Sequence, residues 1–595
     1  MAGEIEDRGG AQVHWLVAGK FGLGERKKTL ALTRADFDDA LKNRGIEIVA
    51  RVPDAVGSDE TRTYTLKVES LKHLTLKHVV GAIPELTELA AKADQVAKLK
   101  DPSVDSLREV VGEGKLLDAM KQLVAPDEAK PAGGGDGASG DTDAIFEKAE
   151  VQKKTAKSAI SMFVKATSSA KPKAKPVSRQ LRDLVEEVVW GIAADVLRSD
   201  EVREVEGSWR GLRFLLTECP KDSQMEVILL ETDPEHVVED LSTRERGDDI
   251  DEPDCIFVPH DFRTTEGLRD VADLAEQELI PIVVGAAPQL FGSDDLQAIP
   301  DAFEALERAR NEDLPEWATE WDALRMAEST RWLAVALNRV ALHAEGAGVA
   351  QRTVFGSGVW AVAAMLAASF RATGGFARIF GKAGSLRAPA SHTMGAGRYA
   401  DTAAPTEAFY AIQPCELLAK NGIFGIGSAR NSDQLALIKA SCVRGAADAV
   451  PLPAQILTGR VVRFASWVKA QLPEGCDSKT ANDIFVSAAS VFLFPGQEAA
   501  AHVRAATTNI DGEAHVMVRA AANPAIASIP FEIAFPLPLG WSVPAPEQSA
   551  EESAAPKPDA GDAATVEGET TADKKDGVGL SGGSVGFDAS LGKDD

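Results

Sequence analysis

Hydrophobic residues along the middle of the chain follow two alternating patterns. Short, continuous apolar runs at residues 225–230, 255–258 and 280–285 are typical of buried strands. Between the last two of these runs, apolar residues recur every three or four positions, which predicts a helix over residues 265–277. This strand–helix–strand rhythm favours a parallel sheet with helices on both faces. The sequence therefore predicts an α/β core.

Helical stripes flank this core on both sides. Residues 179–197 place apolar side chains on one face, and residues 208–217 follow as a second helix. Further along, we predict long helices over residues 320–342 and 357–371.

The pattern changes again towards the C-terminus, where alternation predicts strands. The predicted strands are residues 485–494, 513–520 and 529–535, and the dipeptide Asp511-Gly512 marks a tight turn before the second of them. The α/β core therefore ends in a C-terminal β region.

The first 125 residues combine both periods in a smaller region. Gly19 ends the first strand, and Thr33 is the expected N-cap of the first helix. The predicted strands are residues 13–18, 28–32, 46–52 and 63–68, and the predicted helices are residues 34–41, 85–100 and 106–123. We expect a small mixed domain here.

Breaks in composition divide the chain into four parts. Residues 126–143 are rich in Pro, Gly and Asp, and residues 165–178 in Lys, Ala, Ser and Pro, so neither can bury a core. Beyond residue 545, twelve acidic residues stand against four lysines, a composition typical of disorder. We expect a small domain at 1–125, a flexible linker and extended basic strap at 126–178, the core with its β region at 179–541, and a disordered acidic tail at 542–595. The predicted fold class is α/β, with α+β character at the two ends.

The chain as a whole is acidic, with a formal net charge of −27. A nucleic-acid binder needs a basic surface to displace phosphate counterions, so we expect no nucleic-acid partner. Residues 1–10 lack an apolar signal region, and no apolar run reaches the roughly 18 residues of a membrane span, so we expect a cytoplasmic protein without membrane insertion. The five cysteines lack metal-ligand spacing, which favours buried free thiols in a reducing compartment.

Candidate catalytic groups are few and scattered. The glycine-rich turn at residues 19–24 contains Lys20, but it lacks the GxxxxGK[ST] pattern of a phosphate-binding loop, so we expect a surface turn. His392 follows Ser391 without a visible acid to orient it. The acidic run at 245–254 lacks the Gly and Glu positions of a calcium loop. We expect no catalytic residue, cofactor or metal, and an α/β enzyme of hydrolase type is the competing hypothesis.

The segment at residues 206–216 is unusual in composition. It sets Trp209, Arg210 and Arg213 among apolar residues, and none of the three is a nucleophile or a general base. Two interpretations stay open. Either Trp209 belongs to a core and the arginines bridge neighbouring acids, or the three residues form a junction between two halves of the chain. Trp and Arg are enriched at interfaces, and Trp is also commonly buried, so both interpretations are structural.

This segment and several after it resemble the large subunit of the contractile sheath of type VI secretion machines. The matching motifs, in order, are residues 205–212 (VEGSWRGL), 321–325 (WDALR), 329–333 (STRWL), 370–377 (FRATGGFA), 405–407 (PTE), 416–423 (ELLAKNGI) and 459–469 (GRVVRFASWVK). One departure is Asn338, which stands where the family commonly has a proline.

The first 125 residues, called the first block below, resemble the small subunit of the same sheath. The matching motifs are residues 15–21 (WLVAGKF), 34–38 (RADFD), 64–68 (YTLKV) and 79–86 (VVGAIPEL). The two resemblances together imply that one chain fuses both subunits. They also imply that the helix at 85–100 is the one a recycling AAA+ unfoldase recognises, and its apolar positions are Leu86, Leu89, Val96 and Leu99.

The resemblance implies a structural function. The chain would be a protomer that assembles with copies of itself in a helical, six-fold lattice, around an inner tube protein and on baseplate components. Contraction would drive the tube through a target membrane. The strap at 153–175 contains a β-capable piece at 159–164, which can add as a strand to an open sheet edge of a neighbour, such as one in the C-terminal β region. A solvated linker is the alternative for the strap, and a non-contractile scaffold of the same ancestry is the third hypothesis for the chain.

Overall fold

A computed structural model describes residues 13–56, 61–124, 176–222, 224–309, 314–395, 399–445, 449–497 and 499–541. The linker and strap, apart from residues 176–178, and the acidic tail lie outside the described residues, so the interpretations of these segments stay predictions. The chain divides into two compact units, Met1–Arg460 with Pro524–Ile529, and Val461–Asn523 with Pro530–Asp595.

The described strands fall into one large sheet and several small ones. In chain order they are β1 Val13–Gly19, β2 Thr29–Leu32, β3 Ile46–Pro53, β4 Thr61–Val68, β5 Met225–Glu231, β6 Cys255–Phe262, β7 Ile282–Ala286, β8 Leu333–Leu337, β9 Arg339–Glu345, β10 Arg352–Ser357, β11 Leu386–Arg387, β12 His392–Thr393, β13 Ala403–Ala404, β14 Ile423–Gly425, β15 Gly427–Ser428, β16 Gln434–Ala436, β17 Ala501–Ile510, β18 Glu513–Ala522 and β19 Phe531–Pro538.

Helices surround these strands. In chain order they are α1 Phe37–Arg44, α2 Leu76–Ala82, α3 Pro84–Ala97, α4 Val104–Val111, α5 Lys115–Val124, α6 Val177–Arg198, α7 Asp200–Glu218, α8 Val237–Ser242, α9 Thr265–Glu278, α10 Ile299–Arg308, α11 Glu316–Arg325, α12 Val359–Thr373, α13 Gly381–Gly384, α14 Ile412–Lys420, α15 Leu452–Ala470, α16 Ser478–Ala488 and α17 Pro524–Ala527. The predicted helices at 85–100, 179–197, 265–277 and 357–371 are confirmed to within a few residues as α3, α6, α9 and α12.

Among the described residues, the largest sheet has seven strands in the order β14-β8-β7-β6-β1-β5-β2. The pairs from β14 to β5 are parallel, and the edge strand β2 runs antiparallel to β5. The helices α8 and α9 connect β5 to β6 and β6 to β7, and α10 with α11 connects β7 to β8, as the strand–helix–strand rhythm requires. The α/β fold class is therefore confirmed.

The position of β1 was not predictable from its place in the chain. It comes from the first block, yet it pairs with β5 on one side and β6 on the other, in the middle of the sheet. Its side chains alternate between two cores: Val13, Trp15 and Val17 lie in one, and Leu16 and Ala18 in the other. All five are at most 3% exposed. The first block and residues 179–460 therefore share one sheet and both of the cores that cover it.

Two helices of the first block differ from their predicted bounds. The first begins at Phe37 rather than residue 34, and Thr33 does not cap it: its hydroxyl instead donates to the carboxylate of Asp36 at 2.6 Å. This hydrogen bond lowers the pKa of Asp36. The helix predicted over 106–123 is two helices, α4 and α5, because Gly112 and Gly114 take positive φ angles of 84° and 141° between them.

The long helix predicted over 320–342 is wrong. The helix α11 stops at Arg325, a 3₁₀ turn covers Glu328–Trp332, and the rest of the run forms strands β8 and β9. The strand β8 is buried along its whole length. A short apolar run with both faces buried has no periodicity that separates a strand from a buried helix.

The residue between β8 and β9, Asn338, has φ 87° and is 3% exposed. Its side-chain amide donates to the carbonyls of Ala408 (2.8 Å) and Ile426 (2.9 Å), and its oxygen accepts from two backbone amides. A proline has φ fixed near −65° and cannot adopt this conformation. The backbone at position 338 therefore excludes proline.

The second unit contains α16 and an antiparallel sheet in the order β17-β18-β19. Asp511 and Gly512 have φ 52° and 90°, as a two-residue type I′ hairpin needs, so the predicted turn is confirmed. The strand predicted over 485–494 is wrong, because these residues complete α16 and then form a π-helical turn at Ala489–Leu493.

Candidate junction site

Trp209 lies on α7 and contacts the first block directly. It is fully buried, and its indole Nε1 donates to the backbone oxygen of Phe21 at 2.8 Å. Its ring packs edge-on against Phe21 and Phe37, with centroids 6.2 Å and 5.7 Å apart. Buried indoles normally find a partner for their N–H group. Here the partner is a backbone carbonyl 188 positions earlier in the chain.

The two arginines of the motif also reach the first block. Arg210 donates from Nη2 to the backbone oxygen of Leu74 at 3.1 Å. Arg213 lies over the ring of Phe37, with its guanidinium carbon 4.9 Å from the centroid, and its Nη1 is 3.4 Å from the carboxylate of the exposed Asp38. Exposed ion pairs contribute little, so the contact with the aromatic ring is the larger part of this interaction.

A buried ion-pair network lies next to these residues. Glu206, one turn before Arg210 on α7, is fully buried and accepts hydrogen bonds from Arg210 (2.7 Å) and from Arg352 of β10 (2.7 Å and 3.0 Å). Arg352 also donates to the backbone oxygen of Leu74 at 2.8 Å. Burial alone would lower the pKa of Arg352, but the charges of Glu206 and Glu345 outweigh it and raise the pKa.

Glu345, on β9, extends this network towards the first block. Its carboxylate pairs with Arg352 at 2.8 Å and accepts the backbone N–H of Leu76 at 3.2 Å. Burial acts to raise its pKa, whereas the nearby His343, the charge and hydrogen bond of Arg352 and the Leu76 amide lower it to about 2. Residues 74–76 of the first block are therefore held by side chains from α7, β9 and β10.

A second carboxylate fixes the glycine-rich turn. Glu231, at the end of β5, is 7% exposed and accepts the backbone N–H groups of Phe21 (3.0 Å), Gly22 (3.2 Å) and Leu23 (3.0 Å). Successive backbone amides form an anion-binding concavity, and this protein fills it with its own side chain. The expected surface turn is therefore only partly exposed: Phe21 and Leu23 are buried, and the backbone amides of the segment bind Glu231.

Apolar side chains also join the first block to the core. The helix α3 packs against α6, and its residues Leu86, Leu89 and Val96 are buried while Leu99 is half-buried. The face predicted for unfoldase recognition is thus covered by α6 in this structure.

The structure brings Trp209, Arg210 and Arg213 to one surface between the first block and the core. Whether this contact acts as a subunit junction stays a prediction. Glu206 belongs to the segment at 206–216, and its bond to Arg210 spans one helical turn. Sequence reasoning missed the long-range contacts of Glu231, Glu345 and Arg352, because contacts this distant in sequence leave no local pattern. Gly211 did leave a signal: a glycine inside a helix costs about 1 kcal/mol relative to alanine, so it needs a packing reason.

That reason is the close approach of α12. A Cβ atom at Gly211 would lie 2.3–2.4 Å from ring atoms of Trp360, which is 2% exposed and has little room to move. At Gly207, on the same helix, the nearest neighbour of a Cβ would be the Phe355 oxygen at 3.9 Å. The two glycines therefore differ in packing although both are helical.

We expect Gly211→Ala to lower the free energy of unfolding by about 1–3 kcal/mol, because overpacking outweighs the gain in helix propensity. Gly207→Ala is the matched control and should raise it by about 0.5–1 kcal/mol. Urea denaturation of the two variants measures the difference. Equal stability of the two variants would contradict this account of Gly211.

The competing enzyme hypothesis places titratable groups at the carboxyl ends of the parallel strands. Asp261, near the end of β6, accepts from Arg339 at 2.8 Å, and the same guanidinium lies 3.4 Å from Glu407. Burial raises the pKa of Glu407 despite the nearby charge of Arg339. His392 Nε2 lies 2.8 Å from the Thr406 oxygen. Asp261 and Glu407 therefore pair with Arg339, and His392 pairs with a backbone oxygen.

The other sequence predictions concern cysteines, metals and membranes. All five cysteines are free and buried, as predicted, and burial raises the pKa of Cys219, Cys415 and Cys442 to about 12. In the part of the chain that the structure describes, no three His, Cys, Asp or Glu side chains gather as metal ligands. Nor does any helix of that part combine the length and apolarity needed to span a membrane.

Comparison with known proteins gives one family-model match, within the core. Residues 256–444, about a third of the chain, match the family model described as "VipB: EvpB/VC_A0108, tail sheath N-terminal domain". The match starts within β6 and ends before α15, so it includes neither the motif at 205–212 nor the first 125 residues. No curated protein matches the chain.

Solved structures of contractile machines are among those similar to the chain. The sheath complex of an extracellular contractile injection system, PVC, in its contracted state is 13% identical with a TM-score of 0.32, over 52% of this chain and 75% of that chain. The six-fold symmetrised baseplate of the anti-feeding prophage is 12% identical with a TM-score of 0.28, over the same shares.

Proposed function

We propose that this chain is a sheath protomer of a contractile injection machine and combines the parts of both sheath subunits. The match of residues 256–444 to the tail sheath family model supports this proposal. The protein is structural: it supplies the repeating unit of a sheath. The first 124 residues would supply the part of the small subunit, and residues from 176 onward the part of the large subunit.

The observation that supports this division is the placement of β1. A strand from the first block lies in the middle of the sheet whose other strands come from the core. The contacts of Trp209, Arg210 and Arg213 with the first block then act as the subunit junction inside one chain. Fusion fixes the ratio of the two parts at one to one and raises their effective concentration for each other.

We further propose type VI secretion as the system, on the strength of the matching sequence motifs. The partners are then copies of this chain in a helical six-fold lattice, an inner tube protein and baseplate components, all met in the cytoplasm. The strap at 153–175 would donate a strand to a neighbouring protomer and keep the lattice connected as it changes length.

The helix that a recycling AAA+ unfoldase would bind, α3, is covered by α6 in this structure. Since Leu86, Leu89 and Val96 of α3 are buried, the unfoldase could bind this face only after α3 leaves α6. We propose that such a state arises after contraction and marks the used sheath for disassembly.

Electron microscopy of the purified full-length protein tests the assembly. We expect helical tubes in a long and a short form. A monodisperse globular protein under all conditions would exclude a sheath. Replacing residues 153–175 by a Gly/Ser segment of equal length should abolish tubes, whereas the same replacement of residues 126–143 should not. Normal tubes from the strap variant would exclude strand donation by the strap.

A further inference from the structure

The two outer edges of the C-terminal sheet differ in what covers them. Along β17, the outward backbone N–H groups of Ala505 and Thr507 donate to side chains of α16, Asn482 Oδ1 at 3.2 Å and Ser478 Oγ at 3.1 Å. The helix α16 therefore closes this edge with specific hydrogen bonds. A strand that adds to this sheet must use β19.

Two hydrogen bonds at the ends of the ladders fix the direction of every backbone group in β19. Asn523 N donates to Ala500 O at 2.8 Å, and Leu539 N donates to Ala514 O at 2.7 Å. Because backbone groups alternate sides along a strand, the odd-numbered residues of β19 face β18 and the even-numbered ones face outward. Pro536 and Pro538 are outward, where no N–H group is needed.

The outward edge of β19 is therefore usable over a defined length. Glu532 and Ala534 are exposed and present both N–H and C=O groups outward, while Pro536 presents only its carbonyl. An added strand has donors to meet only in the half of β19 before Pro536.

The apolar face of β19 is also incompletely covered. On β18, the row of side chains on the covered face is buried, including Val516, Val518 and Ala520. On β19 the same face continues with Ile533, Phe535 and Leu537, and these side chains are only half-buried. Among the described residues, no strand pairs with the outer side of β19, so this row ends at the sheet edge.

A segment near the end of the acidic tail has the matching pattern. Residues 585–591 read Val-Gly-Phe-Asp-Ala-Ser-Leu, so apolar and small or polar residues alternate without interruption. This alternation is the signature of a strand with one buried face. Its apolar row would continue the row of β19, and its seven residues equal the length from Phe531 to Leu537.

We propose that residues 585–591 pair with the outward edge of β19 in the same chain and cover it before assembly. The tail begins next to the end of β19, and about 45 residues with a flexible-chain span of about 35–40 Å connect it to this segment. Such a tether gives an effective concentration in the millimolar range, so pairing within one chain is favoured over pairing between chains.

The pairing of residues 585–591 with β19 would also affect assembly, an inference that rests on the proposed function. A strap from a neighbouring protomer would have to displace residues 585–591 to reach β19. The tail would then slow premature assembly and limit non-specific edge-to-edge pairing, which is the usual hazard of an open strand edge.

Hydrogen exchange of the unassembled full-length protein tests the pairing. The readout is the two outward amides, Glu532 and Ala534, while the inward amides of Ile533 and Phe535 serve as internal references. We expect exchange at the outward amides to be at least about tenfold slower in the full chain than in a chain truncated after residue 545. Addition of a synthetic peptide of residues 583–595 to the truncated chain should restore the protection.

Substitutions separate the apolar row from the polar one. The double variant Phe587→Asn and Leu591→Asn should lose the protection, and the control Asp588→Asn and Ser590→Asn should keep it. Equal exchange in full-length and truncated chains would overturn the proposal. Protection that rises with protein concentration would overturn pairing within one chain. The exchange measurement uses unassembled protein and does not depend on tube formation. A failure to form tubes would therefore count against the sheath function but not against this pairing.

Discussion

When the chain is divided at the linker and expressed as two pieces, residues 1–124 and 176–595, we expect the pieces to fold together and copurify in equal amounts. Residues 176–595 alone should be insoluble or unfolded, because their sheet would lack β1 from its middle. The five side chains of β1 in the two cores, each at most 3% exposed, represent on the order of 10 kcal/mol of burial, which is comparable to the whole stability of a domain.

The measurements are solubility, copurification on a tag placed on one piece, and the thermal unfolding of the complex. The control is a truncation after residue 545, which removes only the tail and should leave the solubility of the chain and the unfolding of the unit that contains β1 unchanged. A soluble 176–595 piece that unfolds at the temperature of the intact chain would show that β1 is dispensable, and would remove the main support for a two-part protomer.

Much of the fold was predictable because it is local. The helices α3 and α6 carry apolar stripes, α12 is an apolar run of helical length, and the turn at Asp511-Gly512 uses residues that tolerate positive φ. The run that forms β8 is buried on both faces, and burial of that kind removes the periodicity that separates a strand from a helix. The strand predicted over residues 485–494 has a different cause, because the buried positions of this helical segment, Phe485, Ala488, Ala489 and Leu493, recur at helical spacing that the prediction overlooked.

The candidate site was predictable only in part. Trp209 and its two arginines are conspicuous in sequence because Trp and Arg are enriched at interfaces. Their partners Glu206 and Arg352 are 146 positions apart and meet only because α7 packs beside β10. Pairing of this kind depends on the tertiary fold, so no local pattern reveals it. The sharing of one sheet by the first block and the core is non-local in the same way.

The buried ion pair gives the second large effect. We expect Arg352→Met to lower the free energy of unfolding by about 3–5 kcal/mol, because it leaves the fully buried Glu206 with Arg210 as its remaining charged partner. Urea denaturation measures this change. The control is Arg308→Met, since Arg308 pairs with Glu304 on the surface with 73% and 51% of the side chains exposed, and should change stability by at most about 0.5 kcal/mol.

A double-mutant cycle distinguishes the ion pair from simple packing. The combination of Glu206→Leu and Arg352→Met should cost less than the sum of the single changes, because it removes both buried charges together. Additive effects would mean that the two side chains do not depend on each other.

Arg352 also binds the Leu74 oxygen of the first block. In the divided protein, Arg352→Met should therefore weaken the association of the two pieces by about 10²–10³-fold, at about 1.4 kcal/mol for each factor of ten. Unchanged association with reduced stability would confine the role of Arg352 to the core.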